Sequence, residues 1–167
     1  MKEAALVIIK PDGISNKIVG NVFSKFENTD LQMVALKMAI PTKQLAEEHY
    51  RHISGTSFFK DTVAYFVGKF HNEKKLLAII FYGENAIKKC RKIAGATNPE
   101  EADPRSIRGS YGRITSQGVY ENVVHVSSDK AEAEREIRLW FRPEDIIVNL
   151  YPSKSQIIKN QKVRVWA

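Results

Sequence analysis

Short apolar runs of strand length alternate along this chain with longer segments of helical periodicity, and this alternation limits the folds available to it. Apolar and branched residues fill the runs, and turn-forming residues end them. Lys10-Pro11-Asp12-Gly13, for example, closes the first run. Runs of this kind are typical of buried strands. The pattern predicts four strands, at 4–9, 31–40, 76–82 and 119–126.

Between and after these runs, apolar residues recur at the three- and four-residue spacing of one helix face. Val19, Val22 and Phe26 show this spacing clearly. Thr42 and Asp129 are typical helix N-caps, and the glutamate three positions after Asp129 predicts a capping box. The predicted helices cover about 17–28, 42–51, 58–66, 85–94 and a segment that begins at 129.

The predicted order of elements is therefore β-α-β-(α,α)-β-α-β-α. This order favours an α/β (α+β) fold of the ferredoxin-like sandwich type, in which a four-stranded antiparallel sheet carries helices packed on one face. No Pro-, Gly- or Ser-rich linker divides the chain. We therefore predict a single domain over 1–167, with an extended C-terminal tail from about residue 143.

The composition narrows the possible functions. Of the 167 residues, 43% are hydrophobic and 27% are charged, which excludes a disordered or fibrous chain. Cys90 is the single cysteine, so an intramolecular disulfide is impossible. The longest apolar runs are far shorter than the ~20 residues that span a bilayer, so we expect a cytoplasmic protein without a membrane partner. The net charge of +7 favours anionic partners, such as nucleotides, nucleic acid or acidic lipids.

A long, turn-rich segment, Gly95–Gly118, separates the last predicted strand from the preceding helix, and loops of this length are often functional. Arg91 and Arg108 flank or lie in it, where they could bind phosphates or pair with acidic side chains. Phe58 and Phe59 could both be core residues, or one could stack on a nucleotide base. Neither of the usual glycine-rich phosphate loops is present, and no HExxH or CxxC motif indicates a zinc site.

Four histidines and a lysine are the other candidates for chemistry. His125 follows a β-branched run, so it is either a reactive imidazole at a strand end or a structural edge histidine. His49 and His52 lie three apart on a predicted helix and could pair as ligands, but a partly exposed helix is the simpler interpretation. His71 lies in a polar turn and is interpreted as solvated. Lys10, after the first strand, could meet a phosphate or be solvated.

Several motifs together resemble those of the nucleoside diphosphate kinase family. They occur in one order, with consistent spacing, between about Leu6 and Pro143, and the set is far more specific than any single motif. In chain order they are Val7–Gly13, His49-Tyr50, Phe58-Phe59, Gly95–Pro99, Ile107–Gly109, Asn122–His125, Ala133–Ile137 and Leu139–Phe141.

The resemblance implies the ferredoxin-like fold and the exchange of the terminal phosphate between a nucleoside triphosphate, typically ATP, and nucleoside diphosphates. The reaction would be ping-pong, through a phosphohistidine at His125 that Ser127 and Glu136 support. Mg²⁺ would be held mainly by the nucleotide phosphates, with no direct protein ligand, and the protein would be a homo-oligomer, a hexamer or a tetramer. The residues implied around the phosphates and ribose are Lys10, Tyr50, Arg91, Thr97, Arg108 and Asn122, with Phe58 stacked on the base.

These implied roles fit the chemistry, because a phosphate site without a glycine-rich loop must neutralise charge with Lys and Arg side chains and Mg²⁺. The chain departs from the family pattern at Val126, where glycine is usual, and we expect this side chain to tighten the histidine pocket. The segments 68–75 and 109–121 are longer than in the family pattern.

Two other interpretations remain open from the residues. Ferredoxin-like sheets also serve as RNA-binding modules, and Arg108–Gly112 resembles part of one of their motifs, although the aromatic residues that should follow are absent. An inactive relative of the kinases is the second. The residues that argue against it by their joint presence are Lys10, Arg91, Arg108, Asn122 and His125. Nucleic acid is not expected to be the main partner.

Overall fold

A four-stranded antiparallel sheet forms the centre of the structure, a computed structural model that describes residues 1–155 and 157. Its strands follow the order β2-β3-β1-β6, and a separate two-stranded hairpin pairs β4 with β5. β2 and β6 are therefore the edges of the main sheet. The strands are β1 (Lys2–Ile9), β2 (Gln32–Ala39), β3 (Leu76–Glu84), β4 (Arg113–Ile114), β5 (Tyr120–Glu121) and β6 (Val124–Val126).

Seven α-helices and three 3₁₀ turns complete the described part of the chain. The Thr42 hydroxyl accepts a hydrogen bond from the Leu45 backbone N–H at 3.1 Å, and Asp129 caps the last helix by accepting from the Glu132 N–H at 3.0 Å. Both predicted N-caps are thus confirmed. The reciprocal half of the capping box is absent, because the Glu132 carboxylate binds Arg135 instead. The helices are α1 (Pro11–Ser15), α2 (Val19–Glu27), α3 (Lys43–His49), α4 (Phe59–Phe66), α5 (Ala86–Ala94), α6 (Ile107–Tyr111) and α7 (Lys130–Trp140), and the 3₁₀ turns are Arg51–Ile53, Pro99–Glu101 and Pro143–Asp145.

Helices cover both faces of the main sheet, and the prediction of helices on one face is wrong. In β1, Val7 and Ile9 belong to a first core with α2, α5 and α6. Leu6 and Ile8 belong to a second core with α3, α4 and α7. All four side chains are 0% exposed. A strand that is apolar at every position, rather than at alternate ones, indicates a sheet covered on both sides.

The predicted strand 119–126 is broken into two. Tyr120–Glu121 pairs in the hairpin, and only Val124–Val126 joins the main sheet. The sequence also missed α1, which begins at Pro11, directly after β1. Pro is well suited to the first turn of a helix, because the backbone N–H that it lacks would have had no helical partner there. The long loop is structured as well, since it contains Pro99–Glu101, α6 and β4.

The chain after α7 returns along the second core, where Ile146, Val148, Leu150 and Tyr151 pack against it. The last ten residues of the tail that the sequence predicts from about residue 143 lie outside the described residues. Among the helices in the described ranges, none has the length and apolar character needed to cross a membrane.

Candidate active site

His125 lies in the middle of β6, at one edge of the main sheet, where Ile8 of β1 is its partner across the pair. Its ring faces the second core. The ring centroid lies 4.3 Å from that of His49 and 6.0 Å from that of Tyr50, and both contacts are edge-to-face. The His125 side chain is 13% exposed. It is therefore held by its neighbours and still open to a small ligand.

Glu136 and Ser127 fix the orientation of this ring. His125 Nε2 lies 2.9 Å from Glu136 Oε1, and the Ser127 hydroxyl donates to Glu136 Oε2 at 2.6 Å. The same hydroxyl accepts from the Leu6 N–H at 3.2 Å, which ties the cluster to β1. Burial opposes ionisation of Glu136, but the His125 charge and hydrogen bonds from His125 and Ser127 outweigh it and lower the Glu136 pKa. An ionised Glu136 accepts a hydrogen bond from the Nε2–H group, which leaves the lone pair of the neutral ring on Nδ1.

His49 is completely buried, so the interpretation of an exposed histidine pair is wrong for this member. Burial, with a smaller effect of His125, lowers the His49 pKa well below its usual value. The Trp140 indole N–H donates to His49 Nδ1 at 3.2 Å, so the neutral ring carries its proton on Nε2. His52 is exposed, near Glu132.

Candidate ligand atoms of His49, His125 and Glu136 lie within 4.8 Å of one another, a spacing that a metal ion could bridge. The hydrogen bonds oppose this use. Trp140 occupies His49 Nδ1, and Glu136 already bridges His125 and Ser127. The cluster therefore holds the His125 ring in position rather than binding a metal ion.

A backbone kink at Val123 explains why the predicted strand breaks beside the site. Val123 has a φ of 64°, a left-handed conformation that is strained for a β-branched residue, at a cost of about 1–3 kcal/mol. Its N–H donates to Asp12 Oδ2 at 2.8 Å, and its carbonyl accepts from the Lys10 N–H at 2.8 Å. These bonds to the β1–α1 junction hold the kink, between Asn122 on one side and His125 on the other.

Lys10 meets Asn122 at this kink. The Lys10 ammonium donates to the Asn122 side-chain oxygen and lies 4.5 Å from the centre of the Tyr65 ring. Burial lowers the Lys10 pKa from 10.5 to about 8, and the nearby charges of Asp12 and Arg108 act in opposite directions. Lys10 is only 4% exposed. A cation in this position is stabilised by an incoming anion.

Arg108, from α6, is the second buried cation. Its guanidinium donates to the carbonyl oxygens of Gly95 at 2.8 Å and Val124 at 2.9 Å, and its Nε has no hydrogen-bond partner. Burial lowers its pKa to about 10, and the positive charge of Arg91 contributes to the shift. Arg91 lies in the last turn of α5 and is exposed. Thr97 is exposed, and its carbonyl accepts from the Asn122 amide at 2.8 Å.

Tyr50 lies beside His125, whereas Phe58 lies at the start of α4. Tyr50 is 8% exposed, and burial, together with the Glu136 charge, raises its pKa. Phe58 precedes α4 and leaves its ring 53% exposed, while its backbone carbonyl binds Thr62. The structure thus places Tyr50 beside His125, and its described contacts do not bring Phe58 into the hydrogen-bonded cluster.

Val126 does not have the expected effect on the histidine pocket. Its side chain is 4% exposed and packs in the first core, on the opposite face of the sheet from His125. Successive side chains in a strand point to opposite faces, so a side chain at this position cannot narrow the pocket.

The sequence analysis missed several polar residues near the site. Asp12 is buried and holds the Val123 kink, and Tyr65 lies against Lys10. Glu121, beside Asn122, is buried and binds Arg113. His71, interpreted as solvated, has a side chain only 11% exposed. Asp12 had a usable signal, since an aspartate in a short turn after a buried strand places its carboxylate near backbone N–H groups. The other contacts depend on long-range packing.

The fold and the site define an α/β protein in which an oriented histidine lies beside buried cations at the edge of a ferredoxin-like sheet. The sequence matches the model of the family described as nucleoside diphosphate kinase over residues 3–146. The chain belongs to the nucleoside diphosphate kinase family. It is 40% identical over 144 residues to a nucleoside diphosphate kinase of Pyrococcus furiosus, covering 86% of each chain. It is 36% identical over 146 residues to that of Methanocaldococcus jannaschii, covering 87% of this chain and 98% of the relative.

Solved structures agree with this assignment. A halophilic nucleoside diphosphate kinase from Halobacterium salinarum in complex with CDP matches with a TM-score of 0.79 and 29% identity, over 89% of this chain and 93% of that one. A transition state mimic of the Borrelia burgdorferi enzyme with bound vanadate and ADP matches with a TM-score of 0.77 and 32% identity, over 91% and 93%. The similarity to these structures confirms the predicted ferredoxin-like fold.

Proposed function

We propose that this protein is a nucleoside diphosphate kinase that transfers the terminal phosphate of a nucleoside triphosphate to nucleoside diphosphates through a phosphohistidine at His125. The observation that carries this proposal is the hydrogen-bonded series His125–Glu136–Ser127 beside Lys10 and Arg108. Family membership supports the same phosphotransferase activity.

Glu136 sets up the nucleophile. By accepting a hydrogen bond from Nε2–H of His125, it keeps the Nδ1 lone pair available. Nδ1 attacks the terminal phosphorus, the bond from phosphorus to the bridging oxygen breaks, and the nucleoside diphosphate leaves. A second nucleoside diphosphate then binds, and its terminal oxygen attacks the phosphorus of phosphohistidine. That bond forms as the N–P bond breaks, and neutral His125 is restored.

Lys10, Arg91 and Arg108 would neutralise the phosphates, with Thr97 and Asn122 completing the contacts and Tyr50 beside the histidine. Arg108 is buried before any ligand binds, so little reorganisation is needed as charge develops in the transition state, whereas Lys10 would bind phosphate charge that is already present in the bound nucleotide. Phe58 would stack on the base. The Phe58 side chain is exposed, and none of the site residues named above is assigned to read the edge of a base. Both features favour broad base tolerance.

Nucleoside diphosphate kinases typically need a divalent cation. We propose Mg²⁺, brought to the site on the nucleotide phosphates as part of the substrate. The donor set supports this arrangement, because basic side chains dominate it. The carboxylates of Glu121 and Glu136 are occupied by Arg113 and by His125 with Ser127, respectively.

A homo-oligomer, either hexamer or tetramer, is proposed for the assembly. The edge strand β2 supports self-association, since it exposes large apolar side chains between 46% and 66% accessible. These side chains are Met33, Leu36, Met38 and, just after the strand, Ile40. No further strand of the described chain pairs with its outer edge, where the Ile147 N–H bonds the Val34 carbonyl. Light scattering coupled to gel filtration distinguishes the two sizes. A cytoplasmic location stays a prediction.

The RNA-binding alternative loses its main support in the structure. Arg108–Gly112 does not form a sheet strand, because residues 107–111 form α6, and Arg108 is buried against the Gly95 and Val124 carbonyls. An RNA-recognition sheet needs exposed aromatic residues on its strands.

The test is incubation of the purified protein with ATP labelled in the γ-phosphate. We expect an acid-labile, base-stable label that mass spectrometry under alkaline conditions maps to His125, and transfer of this label to added diphosphates. His125→Ala should give no label, whereas His52→Ala, at an exposed histidine, should be labelled normally. A label on Ser127 that persists in His125→Ala would overturn the mechanism.

A further inference from the structure

His71 lies on the segment between α4 and β3, which folds tightly back on itself. Gly68, at the start of this segment, has a φ of +79°, and a Cβ there would lie 2.0 Å from the Glu73 carbonyl oxygen. The Glu73 carboxylate accepts from the backbone N–H groups of Lys74 and Lys75, each at 2.9 Å. The turn is therefore held by its own contacts, and it presents His71 to the body of the protein.

The partner of His71 is a buried carboxylate in the hairpin. His71 Nε2 lies 3.4 Å from Glu121 Oε1, at ion-pair distance but without the alignment of a hydrogen bond. The two side chains are 11% and 7% exposed. The other oxygen of Glu121 binds the Arg113 guanidinium from β4. Glu121 thus connects the two segments that are longer than the family pattern, 68–75 and 109–121.

Two routes lead from this contact to the phosphate end of the site, the part that contains Lys10, Arg108 and Asn122. Glu121 directly precedes Asn122, whose side-chain oxygen holds the Lys10 ammonium. The second route is the Tyr65 ring, which contacts His71 edge-on with centroids 5.4 Å apart and has Lys10 on it at 4.5 Å. His71 therefore contacts both neighbours of the buried lysine.

We propose that His71 is a positioning residue, which holds Glu121 and Tyr65 so that Asn122 and Lys10 are placed to bind nucleotide phosphates. This inference rests on the proposed function, since it assigns a role within the same site. His71 does not touch the reacting atoms. It acts through Glu121 and Tyr65, and it joins the two longer segments of this chain to nucleotide binding.

This placement predicts an effect on binding rather than on the chemical step. The His125–Glu136–Ser127 series is held by α7 and by Leu6 of β1, independently of the 68–75 segment. Lys10 and Asn122 would face phosphate charge that is present in both the ground state and the transition state. Loss of such an interaction raises KM and leaves kcat nearly unchanged.

The experiment compares three variants of the full chain: His71→Ala, His71→Gln, which keeps a hydrogen-bond donor, and Asn72→Ala as a matched control at an exposed neighbour. We expect His71→Ala to raise the KM for nucleoside diphosphates about three- to tenfold, a size that is usual for residues in one network. The kcat should stay within about twofold, because the histidine series is untouched. His71→Gln should restore part of the loss, and Asn72→Ala should behave as wild type.

Hydrogen exchange of the ligand-free protein provides a readout that does not depend on activity. Amides of residues 113–123 should exchange faster in His71→Ala than in wild type or Asn72→Ala. An unchanged KM overturns the proposal, whether or not the hairpin loosens, and so does a fall in kcat at constant KM. If His71→Ala does not fold, the same measurements on His71→Gln decide the question. If wild type forms no phosphoenzyme, the proposed function fails. If hydrogen exchange of residues 113–123 is unchanged in the His71 variants, the role of the His71 contact is rejected.

Discussion

The histidine end of the site, around His125, and the phosphate end, around Lys10 and Arg108, differ in how their polar groups are paired. His125 belongs to a hydrogen-bonded series, which runs from the imidazole to Glu136, from Glu136 to Ser127 and from Ser127 to Leu6 of β1, while Nε2 of the neighbouring His49 has no partner. Around Lys10 and Arg108, two cations are buried, and the Arg108 Nε has no hydrogen-bond partner.

The difference follows from what each end has to do. A nucleophilic ring must keep one tautomer and one orientation, and the hydrogen bond to Glu136, itself held by Ser127, provides both. A phosphate site must instead keep positive charge and donors available for a ligand that arrives with several acceptor oxygens. Buried unpaired groups are costly in the free protein, so binding energy is stored where the anion will lie. Each of the following predictions tests one end against the other.

Arg108→Ala should have the largest effect, a fall in kcat of ~10²–10³-fold, as is typical when one preorganised charge is removed. Arg105→Ala is the matched control, because Arg105 lies in the same loop, pairs with Asp103 and is 91% exposed. Steady-state exchange with ATP and a nucleoside diphosphate measures both. If Arg108→Ala transfers phosphate at the wild-type rate, as Arg105→Ala should, then Arg108 does not belong to the phosphate-binding site. Loss of RNA binding with intact exchange would favour the RNA-binding module.

Glu136→Gln should slow phosphohistidine formation by about 10- to 100-fold without abolishing it, at or below the lower end of the ~10²–10⁴-fold range for proton-transfer catalysts. The amide oxygen can still accept from Nε2, but the charge that favours this tautomer is lost. Glu134→Gln, on the exposed side of α7 and paired with Arg138, is the control. Rapid-quench measurement of the labelled enzyme gives the rate. A normal rate in Glu136→Gln would show that the tautomer is set elsewhere.

Phe58→Ala should weaken nucleotide binding by roughly 1–3 kcal/mol, the range for stacking of a base on an aromatic ring. The loss should be similar for ADP, GDP, CDP, UDP and TDP, since stacking does not read base edges. Calorimetric titration measures it, with Ile147→Ala, at an 81% exposed apolar residue, as the control. Wild-type turnover confined to one base would contradict the broad tolerance expected here.

The smallest effect is a pH dependence from Lys10. Its pKa is lowered to about 8, so the ligand-free site loses this positive charge above that pH and kcat/KM should decline there. In the same range the unfolded chain binds more protons than the folded one. The free energy of unfolding should therefore gain a contribution from Lys10 as pH rises from about 8 towards 10.5. Lys10→Met should lack both trends. A flat wild-type profile up to pH 10 would contradict the shift.

Much of the fold could be predicted because its signals are local. Thr42 and Asp129 cap helices as their side chains dictate, and the apolar run at 4–9 is a buried strand. The break at Val123 could not be predicted, since Val is a strong strand former and no local residue requires a positive φ there. Asp12 and Lys10, more than a hundred positions earlier, impose the kink.

The sequence by itself determined the sheet, most of its helices and, through the family motifs, which residues are candidates for chemistry. Those features depend on short-range periodicity and on side-chain types. Only the tertiary structure decided that His49 is buried against His125 and that His71 reaches Glu121. These contacts join distant segments, and their energies depend on burial and on charges brought together by folding. A pattern read along the chain does not contain those distances.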